Sequence, residues 1–162
     1  MFLQRFGLAL LALTICSPAL VQTATATFDV TITIAADCDI TSTQDMNFGT
    51  SGVLTAPVDQ TAVLGVTCTI GTPYTVGLSA GTAVGATIAT RGMTSLAGDI
   101  INYKLFRDSA RLLNWGVTPA VDTVASIGVG TQQNFTVYGR VLAQTTPAIG
   151  VYTDTITATV TF

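Results

Sequence analysis

The residue types that carry most enzyme chemistry are scarce in this chain, and the scarcity is informative. Among 162 residues there is no His and no Glu, and the acids are nine Asp; there are three Cys, and Lys104 is the one Lys. Without an imidazole there is no Ser-His-Asp relay, and without Glu there is no acid/base pair of the usual glycosidase kind; no two Asp stand out as a dyad. The expectation is a chain that is not an enzyme and uses no cofactor. What remains is thiol chemistry. Cys38 and Cys68 form an even pair once Cys16 is set aside, and in an exported protein such a pair reads as a disulfide. Closing a loop of about thirty residues restricts the unfolded chain by roughly 3–4 kcal/mol in the entropy model. Two thiols without His make a metal site unexpected. Asp37, Asp39 and Asp45 suit turns, where a carboxylate accepts from nearby backbone N–H groups; a calcium site would need six to eight converging oxygens, and no dense Asp loop is present.

Export is written in residues 1–26, which read as a signal peptide. Arg5 supplies the positive start, Phe6 to Ile15 is an apolar run of ten, and Ser17-Pro18-Ala19 or Ala24-Thr25-Ala26 offers a cleavage point between 19 and 26. Cys16 goes with the discarded peptide. The run is too short to span a bilayer, so no membrane insertion is expected after cleavage. With Arg5 gone, five basic residues face nine Asp, a net charge of −4. No basic patch is available for a phosphate backbone, which argues against a nucleic-acid partner. About 136 to 143 residues remain, enough for one domain with a real core. Charged residues are 9% of the chain and mean hydropathy is +0.59. A surface so poor in charge is expected to be covered in use.

The elements that must position these groups are strands. In Thr27 to Ala36, Phe28, Val30, Ile32 and Ile34 share one parity, and Thr27, Asp29, Thr31 and Thr33 the other. This period of two marks a strand with one apolar and one wet face. The alternation returns at the end of the chain, where Tyr152, Ile156, Ala158, Val160 and Phe162 share a parity. Between them, Ala62, Leu64, Val66, Cys68 and Ile70 alternate, which points Cys68 inward. Tyr74, Val76, Leu78 and Ala80 follow the turn at Gly71-Thr72-Pro73. Gly81 to Thr90 is a loose Gly/Ala/Thr segment. Ile101, Tyr103 and Leu105 form a further strand, with a hairpin tip at Asp108-Ser109-Ala110 returning through Leu112 to Trp115. Gly116 to Gly130 is turn-rich, and Phe135 to Val141 is another strand. No segment carries a convincing 3.6-residue period. Trp115, Tyr103 and Tyr138 are expected in the core rather than on a sugar platform, and Arg91, Arg107, Arg111 and Arg140 as surface charges or partners for Asp. The fold class is all-β, an immunoglobulin-like β-sandwich.

Specific stretches carry a family resemblance. They are the alternating strand ending in Cys38, Asn47-Phe48-Gly49-Thr50, Val66-Thr67-Cys68-Thr69, and Tyr74-Thr75-Val76-Gly77-Leu78-Ser79-Ala80-Gly81. Arg91-Gly92-Met93, Tyr103-Lys104-Leu105-Phe106, Trp115-Gly116, Tyr138-Gly139-Arg140-Val141 and Gly150-Val151-Tyr152-Thr153-Asp154 follow in order. In this order the chain resembles the spore coat protein U domain family, whose best-known members are Csu-type pilins of the archaic chaperone–usher pathway. Gly92 departs from the family, which more often has a second basic residue there.

The resemblance implies an incomplete immunoglobulin-like sandwich, lacking one strand and completed by a donor strand from a neighbouring subunit. Residues 27–36 then form the donor strand, with Phe28, Val30, Ile32 and Ile34 entering the neighbour, and residues 37–162 the pilin domain. Ile156, Ala158, Val160 and Phe162 match the C-terminal strand that edges the groove and pairs with the chaperone. The implied partners are a periplasmic chaperone, an outer-membrane usher and identical or related pilin subunits. The implied location is the periplasm in transit and then a cell-surface fibre supporting adhesion and biofilm formation. No second domain of the kind found in tip subunits is read in the chain, so a shaft or adaptor role is expected. The alternatives are a donor segment folded back as an ordinary edge strand, and a non-polymerising spore-coat or matrix protein, or a carbohydrate-binding module, on the same sandwich.

Overall fold

Alternating residues in six of the eight strands face one interior, and two antiparallel sheets result. The computed structural model describes residues 20–162; the signal-peptide run and Cys16 lie outside the described residues. Residues 34–162 form one compact unit. Its strands are β1 (Cys38–Thr43), β2 (Val58–Cys68), β3 (Pro73–Leu78), β4 (Arg91–Thr94), β5 (Ile100–Phe106), β6 (Val124–Ile127), β7 (Gln133–Val141) and β8 (Ala158–Thr161). One sheet has the order β1-β2-β7-β5-β4, the other β6-β3-β8. The all-β sandwich expected from the sequence is what forms.

The period-two residues explain the register. In β2, Ala62, Leu64, Val66 and Cys68 are buried, and across the ladder Ala62 faces Val137 and Leu64 faces Phe135. Tyr74, Val76 and Leu78 of β3 bury the matching face of the other sheet. Tyr103 and Leu105 of β5, Leu54, Trp115 and Val141 complete the core. Trp115 is the largest fully buried side chain, and its Nε1 donates to Val76 O at 2.9 Å. At roughly 1.5–3 kcal/mol per fully buried large apolar side chain, these residues dominate the stabilisation.

Several expectations need correction. Ile70 does not continue the inward face of β2: the strand stops at Cys68, Gly71 turns with φ +81°, and Ile70 is exposed. The hairpin tip at Asp108 is real, held by Asp108 carboxylate bonds from the Leu112 and Leu113 N–H groups, but its return is a single bridge, Phe106 to Asn114, and not a strand. The turn-rich stretch Gly116 to Gly130 contains β6. Tyr138 is only half-buried, with the Arg111 guanidinium 5.7 Å from its ring centre.

Arg91 is the largest departure, because it is wholly buried rather than a surface charge. Its Nε donates to Ser79 O (2.8 Å), Nη1 to Ile88 O (3.2 Å), and Nη2 to Leu78 O (3.1 Å) and Trp115 O (2.7 Å). A guanidinium can enter a core when carbonyl oxygens take its donors. Burial lowers its pKa, opposed by the nearby Tyr103, Asp154 and Asp122. Arg107 similarly donates to Thr123 O and Val121 O. Arg140 and Arg111 do pair with an acid, both on Asp59.

Candidate strand-acceptor groove and donor segment

Phe28, Val30, Ile32 and Ile34 carry the strongest alternation in the chain, yet residues 20–37 contain no strand. In the single chain these four side chains are 86%, 85%, 85% and 71% exposed. Their alternate neighbours Thr27, Asp29, Thr31 and Thr33 are exposed as well. Four large apolar side chains in water within seven residues are costly, and exposed apolar surface of this kind is characteristic of interaction sites. The first strand, β1, begins at Cys38, two residues after the expected one ends at Ala36.

The domain presents two strand edges that suit a guest. β1 ends the five-stranded sheet and β8 ends the three-stranded one, each with one long edge lacking a ladder partner, and the two approach each other across the sandwich. β8 pairs only with β3, from Leu78 opposite Ala158 to Thr75 opposite Thr161. On its inward parity, Ile156, Ala158 and Val160 pack on the core but stay half-exposed. Phe162 lies one residue beyond β8 and is exposed. Cys38 and Ile40 of β1 are half-buried against the same core. An open edge offers unpaired N–H and C=O groups, and the half-buried residues beside it offer apolar pockets; together these are the ingredients of strand addition.

Each rim is anchored. Cys38 faces Cys68 directly across the β1–β2 ladder, with Cα atoms 4.1 Å apart, and the two are joined in a disulfide. Thr69 N donates to Asp37 O at 2.9 Å just outside the bridge, and Asp37 Oδ1 accepts the Cys38 N–H, the turn role expected of that acid. Cys68 is buried as expected, and Cys38 is half-buried. The approach to β8 is held elsewhere. Thr153 forms a two-bond bridge to Thr94 of β4, and Ser79 N donates to Thr157 O. Asp154 accepts from Tyr103 Oη, Thr82 N and Thr82 Oγ1.

The Spore Coat Protein U domain matches residues 24–159. The chain belongs to that family. It is 33% identical over 160 residues to Protein U of Myxococcus xanthus, covering 90% of this chain and 89% of that protein. Among solved structures it is similar to the crystal structure of the CsuC–CsuE chaperone–tip adhesion subunit pre-assembly complex from archaic chaperone–usher Csu pili of Acinetobacter baumannii. That likeness has a TM-score of 0.57 and 32% identity over 80% of this chain, and it spans 40% of the matching chain's length. For this spore coat protein U domain, sequence periodicity located both alternating stretches at the chain ends. It missed β1, whose CDITST alternates only through Cys38 and Ile40, and the Arg91 cluster, whose partners are scattered over the chain.

Proposed function

We propose that this chain is a structural subunit of a chaperone–usher pilus. In this reading its groove takes the donor strand of the next subunit, and its own Phe28, Val30, Ile32 and Ile34 enter the groove of another. The observation that carries the reading is the presence in one chain of four exposed alternating apolar residues and of open edges on β1 and β8. A docked strand gains main-chain bonds along β8 and buries one apolar side chain in every two residues. Four such side chains contribute on the order of 6–12 kcal/mol as an upper bound, opposed by the cost of ordering the strand. The family membership and the likeness to a chaperone-bound pilus subunit support the same assignment. A periplasmic chaperone then shields the groove in transit, an outer-membrane usher exchanges it for a donor strand, and the fibre serves adhesion and biofilm formation at the cell surface.

The test is co-expression of the mature chain with and without its cognate chaperone and usher. The expected outcome is a one-to-one chaperone complex, self-association without the chaperone, and a heat-sensitive ladder of multimers when the usher is present. A chain that stays monomeric and folds cooperatively with the residues before Cys38 removed would be a complete sandwich, and the assignment would be wrong.

A further inference from the structure

The outer face of the five-stranded sheet collects cations that an acidic chain can ill spare. Along β7, Asn134, Thr136, Tyr138 and Arg140 point away from the core, because Phe135, Val137 and Val141 point into it. Arg140 stands directly opposite Lys104 of β5 on one side and Asp59 of β2 on the other. The Arg111 guanidinium lies 5.7 Å from the Tyr138 ring centre, and its Nη1 is 3.5 Å from the same Asp59 carboxylate. One acid thus serves two arginines, and Lys104 has no carboxylate partner among the described residues. Like charges directly opposite across a ladder are destabilising, so the Lys104–Arg140 pair carries a cost. The other nearby acids are already engaged with backbone N–H groups, Asp108 with Leu112 and Leu113 and Asp122 with Thr118.

The face ends in a cleft. β7 pairs with β2 down to Gln133 but with β5 only from Tyr138 on, because β5 stops at Phe106. The gap is a cleft of about 200 Å³ whose lining includes Arg107, Trp115, Val124, Asn134, Thr136 and Tyr138. Arg107 spends one N–H on Thr123 O (2.7 Å) and one on Val121 O (3.1 Å), and the guanidinium has five. Its Nε has no partner, and neither have Asn114 Oδ1 and Thr123 Oγ1, on the residues just before Trp115 and Val124. Among the described residues these are the three buried side-chain polar atoms left unpaired. Such atoms are costly, and their gathering round one cleft suits a polar guest.

From this arrangement we propose that the β5–β7 face binds a carboxylated glycan, a chain of uronate rings. One ring seats in the cleft beside Tyr138 with its carboxylate on the spare N–H groups of Arg107. The following rings run along β7 to the Lys104–Arg140 pair; Asn134 to Arg140 spans about 20 Å of strand, room for several rings. A planar guanidinium suits a carboxylate, and a polymer with one charge per ring suits cations this sparse. Duplex DNA, with one charge per about 1.7 Å, does not. β2 separates this face from the open edge of β1, so the site stands whether or not strands are exchanged between subunits.

The test titrates the mature chain with tetragalacturonate and with its methyl ester, which lacks the charge, following the fluorescence of the single Trp115. The acid tetramer should change the signal saturably and bind more weakly as salt rises, with the ester roughly tenfold weaker or more. Lys104→Glu should weaken the acid by roughly tenfold while its urea midpoint stays level or rises, because the like-charge pair is gone. A merely structural lysine would not separate the two readouts. Thr136→Tyr, on the exposed rim, should fill the cleft and abolish the response with the fold intact. No saturable binding at millimolar tetramer, equal binding of the ester, duplex DNA bound as tightly as the tetramer, or unchanged affinity in either variant would each overturn the proposal.

Discussion

Tyr103 Oη donates to Asp154 Oδ2 at 2.7 Å, joining the middle of β5 to the segment that leads into β8. The other carboxylate oxygen accepts from Thr82 N (2.7 Å) and Thr82 Oγ1 (2.8 Å). Gly81 makes this approach possible: its φ is +90°, and a side chain there would collide with the Asp154 carboxylate. The edge strand β8 is thus fixed at its base while its outer edge stays open. In the proposed assembly a guest strand meets a formed edge and does not have to order it.

Tyr103 should show in the alkaline limb of stability. Burial, and then the bond to Asp154, raises its pKa well above the ordinary value for a tyrosine. The unfolded chain loses this proton near pH ~10 while the folded chain keeps it, so above that pH the folded state binds more protons and stability falls as pH rises. The slope from this one group reaches about 1.4 kcal/mol per pH unit. Tyr103→Phe should flatten the decline above pH ~10 and cost about 1–3 kcal/mol at neutral pH, because Asp154 loses a donor. Urea midpoints of the two proteins across pH 7 to 11, followed by fluorescence of the single Trp115, check both.

Arg91 should be among the most sensitive positions of the domain. Its four bonds to carbonyl oxygens tie the end of β3, the loop before β4 and Trp115 together. Arg91→Met leaves those acceptors without donors in a dry site, at a cost on the order of 3 kcal/mol or more. Arg91→Lys keeps the charge but not the planar fork, and it should recover only part of the loss. The readout is again the urea midpoint. A Met variant as stable as the parent would show the guanidinium to be dispensable.

Much of the sandwich was legible because one rule, alternation over five or more residues, holds wherever both sheets face a core. Leu64, Val66 and Cys68, and Tyr74, Val76 and Leu78, obey it and are buried. The rule failed where a strand is short or where a turn intervenes. β6 has four residues amid glycines, and Ile70 keeps the parity of β2 after the chain has already turned at Gly71. Arg91 was illegible for another reason: three of its four partners, Ser79, Leu78 and Trp115, are 12 to 24 residues away, and all four contribute backbone oxygens, which leave no trace in residue type. At the candidate site, parity picked out the exposed apolar residues Phe28, Val30, Ile32 and Ile34 and the inward residues of β8, but the opposing edge, β1, was visible only in three dimensions.

The Cys38–Cys68 bridge should matter beyond bulk stability, because it pins β1, one rim of the proposed groove, to β2. Intact mass with alkylation should reveal two thiols in the mature chain only after reduction. Cys38→Ala/Cys68→Ala should lower stability by roughly 3–4 kcal/mol on the loop-entropy estimate for its sequence separation of 30. Hydrogen exchange in the double variant should rise first in residues 38–43. Unchanged protection there would mean that the ladder to β2 holds the rim unaided.

The donor strand can be tested by its parity. If Phe28, Val30, Ile32 and Ile34 enter a neighbour's groove, Ile32→Asp puts a carboxylate into an apolar pocket. Burying the ion is prohibitive, so the strand docks badly or the Asp is held protonated at a cost. Thr31→Asp, one residue away, points to the opposite face, because side chains alternate across a strand. In the single chain both residues are exposed and neither belongs to a ladder, so neither change should harm folding of the subunit itself. Ile32→Asp should therefore abolish surface fibres while the periplasmic subunit–chaperone complex stays at its normal level, and Thr31→Asp should assemble nearly normally. Two measurements on each variant decide the matter: the amount of subunit–chaperone complex and the amount of surface fibre. Were the segment instead an edge strand of its own domain, Ile32→Asp would remove the complex along with the fibre. Loss of both, or equal damage from Thr31→Asp, would end the donor-strand assignment.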